Sequence, residues 1–138
     1  MFIKNKKNNK GFTLVELLVV IAIIGILAVV AVPSLMQNME KAKSAKIVSD
    51  FSAIKSALMA EYADGNLTNS TDLQSLVEDI SNEADYQLNI VGDPITSVSL
   101  IITPNNPNVL SRLQEDIGGT LYEGDSENPA TLTVDIVK

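Results

Sequence analysis

From Leu17 to Val32 the chain contains nothing but Leu, Val, Ile, Ala and one Gly. Extended back to Phe12, this run reaches about the 20 residues that a helix needs to cross a bilayer. It also holds much of the apolar content, which is 46% overall, so the remainder reads as one small, polar domain. Aromatic residues make up only 4% of the chain, so the core of that domain must be built from Leu, Ile and Val.

Charge is divided as unevenly as hydropathy. Lys4, Lys6, Lys7 and Lys10 precede Gly11 and no acid does. By the positive-inside rule these lysines hold their end in the cytoplasm and place the domain after Pro33 outside. Of the 17 acids, 14 lie from Glu61 onward, against only Arg112 and Lys138. Such a domain repels phosphates, so direct nucleic-acid binding is not expected. With no Cys and no His in the sequence, disulfide staples, thiol nucleophiles, histidine bases and Cys-based metal sites are all excluded. The expectation is a chain with no cofactor and no metal that is not an enzyme.

A secretory signal peptide also begins with a basic region and an apolar stretch. Here the run is long for a signal core. It continues into a helical pattern instead of stopping at a small-residue cleavage site, although Ala28, Val30 and Ala31 imitate one. Glu16 is the decisive residue. A carboxylate near the bilayer centre costs about 2.5–3.5 kcal/mol, and less toward an end. Either Glu16 reaches interfacial water, or it has an opposite charge to meet. Cleavage after Gly11 would supply that charge, because Phe12 would then carry a free α-amino group. Pairing with the amine of an adjacent subunit would cancel two charges that are costly in an apolar bundle.

Lys10-Gly11-Phe12-Thr13-Leu14-Val15-Glu16 resembles the class III signal of type IV pilins and pseudopilins. The resemblance continues through the apolar helix to Gly25 and Pro33 and covers about a third of the chain. It implies a leader of residues 1–11 that prepilin peptidase removes between Gly11 and Phe12. It further implies N-methylation of Phe12 and a role for Glu16 in recruiting subunits. It divides the rest into a transmembrane or filament-core helix, 12–33, and an extracellular head, 34–138. The implied partners are further pilin subunits in a homopolymer, the peptidase, an assembly ATPase with its inner-membrane platform, and the membrane before assembly. Gly25 and Pro33 weaken a helix by about 1 and 3 kcal/mol. Either they bend a membrane helix, or, as the resemblance implies, they let it lose hydrogen bonds and extend in a fibre.

After Pro33 the pattern becomes amphipathic. Ile47, Phe51, Ile54, Leu58 and Tyr62 recur at helical spacing, with Lys41, Lys43, Lys46, Asp50 and Lys55 mostly off the stripe. Those lysines form a solvated face or meet the acidic heads of neighbouring subunits. Gly65 suits a left-handed C-cap. One helix from about Thr13 to Ala63 would be on the order of 75 Å long.

The remaining residues predict an α+β head: the long helix on a small, mainly antiparallel sheet, with two short helices. Thr71 to Gln74 has capping-box spacing ahead of Leu73, Leu76, Val77 and Ile80. Asn108 can cap a helix carrying Val109, Leu110, Leu113 and Ile117, closed by Gly118-Gly119. Tyr86, Leu88 and Ile90 alternate, as do Val98, Leu100 and Ile102, with Gly92-Asp93-Pro94 between them as a hairpin turn. Leu121 and Tyr122 start a third strand, and Leu132, Val134 and Ile136 make the last. Asp125 to Asn128 looks like a fragment of a calcium loop without EF-hand spacing, and reads as a solvated turn. Asn66-Leu-Thr68 and Asn69-Ser-Thr71 match a glycosylation sequon, which is weak evidence in a bacterial chain, the source that the leader implies.

The chain therefore reads as a structural subunit, a pilin, with the major subunit as one option. It is held in the cell membrane by a single span before assembly and then polymerised into a surface filament, or fimbrium, for adhesion, motility or biofilm formation. Two alternatives stand beside it. One is a pseudopilin of a type II secretion or competence (DNA uptake) system. The other is a plain single-pass membrane protein with a ligand-binding head, which would keep its leader.

Overall fold

One helix, α1 (Leu14–Ala63), carries the apolar run and continues without a break through Gly25 and Pro33. The computed structural model describes residues 11–137, which fall into two units divided between Gln37 and Asn38. Lys4, Lys6, Lys7 and Lys10, in the expected leader, lie outside the described residues. In the first unit every side chain from Gly11 to Gln37 is exposed. Such a surface is stable only where lipid or another protein replaces water. The helix is long and apolar enough to cross a membrane.

The second unit begins within α1. Ile47, Phe51, Ile54 and Leu58 are buried there, as the stripe predicts. Tyr62 departs from it and is 40% exposed. Beyond Leu58 the core is continued by Leu67, brought back after the turn at Gly65. That turn closes the helix as expected. Gly65 has φ +70°, and the Asn66 N–H donates to the Glu61 carbonyl at 3.0 Å.

Four strands complete the head: β1 (Ala84–Gly92), β2 (Ile95–Pro104), β3 (Thr120–Tyr122) and β4 (Thr131–Val137). They form one antiparallel sheet in the order β1-β2-β4-β3. β1 and β2 are the predicted hairpin, in register from Ala84 opposite Pro104 to Val91 opposite Ser97. Val98, Leu100, Ile102, Leu132 and Val134 are buried in one core with the α1 stripe. The fold is thus the expected α+β arrangement of a long helix on a small sheet. The C-terminal strand lies between β2 and β3, so backbone pairing holds a tail that has no disulfide.

Both short helices form, with boundaries that differ from the sequence reading. α2 is a single turn, Leu73–Leu76, and its cap is Asp72, whose side chain accepts from the Gln74 N–H at 3.3 Å. The Thr71 hydroxyl instead accepts from the Thr68 N–H, and Val77 is already extended. α3 (Leu110–Ile117) is preceded by a 3-10 turn, Pro107–Val109. Here Asn106, and not Asn108, supplies the cap, accepting from the Asn108 N–H at 3.1 Å. The reason is Pro107, whose fixed φ starts the helical turn one residue earlier. At Gly119, φ +108°, an added Cβ would lie 2.5 Å from the Thr133 carbonyl oxygen. Only glycine lets the backbone entering β3 approach β4 so closely.

Candidate functional site

The candidate site is the N-terminal junction. Gly11, Phe12 and Thr13 are not helical, and Phe12 is 81% exposed. A peptide bond in that state is open to a peptidase, because no helical hydrogen bond or packed neighbour need be broken first.

Helix α1 begins immediately afterward through a reciprocal capping box. The Thr13 N–H donates to Glu16 Oε2 at 2.8 Å, and the Thr13 hydroxyl donates to the same oxygen at 2.9 Å. In return the Glu16 N–H donates to Thr13 Oγ1 at 3.2 Å. The first turn of a helix leaves N–H groups without intrahelical partners, and this arrangement satisfies two of them. The positive end of the helix dipole also favours a carboxylate at this position. Glu16 is therefore an N3 residue with its charge turned back toward the junction. Its Oε1 has no partner among the described residues, which leaves that oxygen able to accept a further donor.

The spacing Thr-x-x-Glu at 13–16 is the sequence signal for this box. Reading Glu16 only as an acid in an apolar run overlooks it. Beyond Glu16, nothing among the described residues packs on Leu17 to Val32. Gly25 has open space where a Cβ would stand, so sterics do not require glycine there.

A second polar cluster also escapes the sequence reading. Asp50, placed among the solvated lysines by its spacing, is only 7% exposed. Its Oδ2 accepts from the Ser81 N–H at 3.2 Å, from the Ser81 hydroxyl, and from the Tyr86 phenol at 3.0 Å. Burial first, and then the bond and charge of Asp50, push the Tyr86 phenol well above its ordinary range. This cluster ties the loop before β1 to α1. Of the lysines, Lys41, Lys46 and Lys55 are exposed, while Lys43 pairs with Glu83 at 3.3 Å within the head. Both pairing residues are about a third exposed, so the pair adds little stability.

In the acidic turn, Asp125 faces its own loop. Its Oδ1 accepts from the N–H groups of Glu127 and Asn128 at 2.8 Å each. Its Oδ2 accepts from the Tyr122 phenol. That phenolic bond first, then the two amides, hold the Asp125 carboxyl well below the usual range. No group of three or more acids converges on a common point among the described residues.

The family model for the prokaryotic N-terminal methylation motif matches residues 6–32. The chain thus carries the class III signal of type IV pilins. With the exposed apolar helix, that signal supports a precursor of the pilin-like or pseudopilin kind with a membrane anchor near residues 12–33. The motif family is structural in role, not enzymatic. The match ends at Val32, ahead of the head domain. Comparison with curated proteins and with solved structures finds no match.

Proposed function

We propose that this chain is the structural subunit of a type IV pilus. Prepilin peptidase cleaves between Gly11 and Phe12 and the new N-terminus is methylated. An assembly ATPase and its membrane platform then move the helix from lipid into a homopolymeric filament used for adhesion, motility or biofilm formation. The observation that carries this reading is the junction itself. An exposed, non-helical Gly11-Phe12 bond stands one helical turn from a carboxylate, ahead of a helix with no cover of its own. Cleavage creates a cation, and Glu16 has an oxygen free to receive it from a neighbour. Stacking such helices buries apolar surface worth about 25 cal/mol per Å² relative to water, and neutralises both charges.

In this reading Gly25 and Pro33 are the places where the continuous helix of the single chain can lengthen on entering the fibre. N-terminal mass spectrometry of the native protein is the direct test. The expected product begins at a methylated Phe12; an intact residue 1–11 leader would refute the reading. Electron microscopy then separates a long surface filament from the short structure that a pseudopilin builds.

A further inference from the structure

The outer edge of β1 carries backbone groups that no other strand among the described residues pairs. β1 is the terminal strand of the sheet and nine residues long. The Asn105 N–H donates to the Glu83 carbonyl at 2.9 Å, which makes Glu83 and Asn105 a bonded pair at the start of the hairpin. Bonded and non-bonded pairs alternate along an antiparallel ladder. Asp85, Gln87 and Asn89 therefore turn their backbone groups toward β2. Tyr86, Leu88 and Ile90 turn theirs outward, to the side where no further strand lies among the described residues.

Edges of this kind are normally blunted by Lys, by Pro or by a covering element. Between Ala84 and Val91 there is neither Lys nor Pro, and the one bulge lies at the far end, between Val91 and Gly92. The first half of the strand instead forms one wall of an open cleft of about 590 Å³, whose other wall is the start of α2. Asp72, Gln74, Asp85 and Gln87 give that cleft acidic and amide groups, while Ile80 and Leu88 give it an apolar floor. Asp72 and Asp85 are both exposed.

We propose that this edge binds an extended cationic segment of another protein as a fifth strand. Backbone groups of Leu88 and Ile90 would supply the ladder, and the cleft would take alternate side chains. Charge selects the occupant. From Glu61 onward the head has 14 acids against Arg112 and Lys138. A second copy would bring an equally acidic head against this one, and the like net charges repel. Basic side chains meet the opposite situation. The proposal needs only a folded head and does not depend on the head standing in a fibre.

The test uses the full chain in non-ionic detergent and labelled peptides the length of β1, read by fluorescence anisotropy against empty micelles. Alternating Lys-Val should bind, and alternating Glu-Val should not. A Lys-Pro control of the same charge, with every lysine amide N-methylated so that no N–H remains for a ladder, should bind about tenfold more weakly. Leu88→Pro removes one outward N–H and leaves the β2 ladder intact. It should weaken Lys-Val binding about tenfold while circular dichroism shows a folded head. Should that variant unfold, Asp72→Asn with Asp85→Lys replaces it and should weaken Lys-Val binding to a similar degree. Absence of Lys-Val binding overturns the proposal. So does equal binding of Lys-Pro or Glu-Val, or binding unchanged in the folded variants. A wild-type dimer that Leu88→Pro abolishes would also overturn it, by assigning the edge to a second copy.

Discussion

The two stretches of α1 are continuous in backbone and opposite in what they ask of their surroundings. From Leu14 to Met36 every residue is exposed and nearly every one is apolar. From Ser44 to Leu58 one stripe is buried while lysines and small residues face outward. Both are α-helical, the earlier one lacking only the hydrogen bond that Pro33 cannot donate, so secondary structure does not distinguish them. What differs is the origin of the cover. The later stretch receives a sheet from its own chain, whereas the earlier one needs lipid or another protein to replace water. A single helix can thus belong to a folded domain at one end and to an assembly at the other.

That contrast is breakable by substitution. Glu16→Val should have the largest effect, abolishing or severely impairing fibres while the head keeps its folding transition. Sedimentation of sheared filaments beside a denaturant melt of the same protein measures both, and normal fibres would refute the charge pairing. Next, Ile54→Ala should destabilise the head by about 2–5 kcal/mol, because Ile54 is fully buried. Ile23→Ala, in the exposed run, should leave the head's midpoint unchanged in detergent. If both variants shift that midpoint equally, the division of the helix into two regimes is wrong.

Asp50→Ala should cost about 1–3 kcal/mol, since it strands the Tyr86 phenol and Ser81 in a part-buried place. The smallest effect concerns pH. The Tyr86 phenol is raised in the folded head, so between the ordinary value of about 10 and its folded value the unfolded chain binds fewer protons. Stability should therefore be intact below about pH 10 and fall as pH rises beyond it. Tyr86→Phe should flatten that fall in melts taken across the same range.

Much of this molecule is legible along the chain because its signals are local. The apolar run, the buried stripe at three- and four-residue steps, the hairpin around Gly92 to Pro94 and the glycine stop at Gly65 each depend on near neighbours. The junction at Gly11-Phe12 and the carboxylate of Glu16 are legible for the same reason, as is the Thr13 box that spacing alone announces. Other features depend on residues brought together from afar. Asp50 looks like a surface acid until Ser81 and Tyr86, more than thirty positions away, donate to it. The exposure of Tyr62 follows from Leu67 continuing the core after the turn.

Periodicity and charge alone thus set which stretch is long and apolar enough to cross a membrane, where the chain turns and which stripe of α1 is buried, since each is a property of a short window. Tertiary structure alone decided that β4 lies between β2 and β3, and that β1 is left as the open edge. The apolar alternation is alike in all the longer strands, so no window could rank them. Strand order is chosen by how one helix and one sheet bury their shared face.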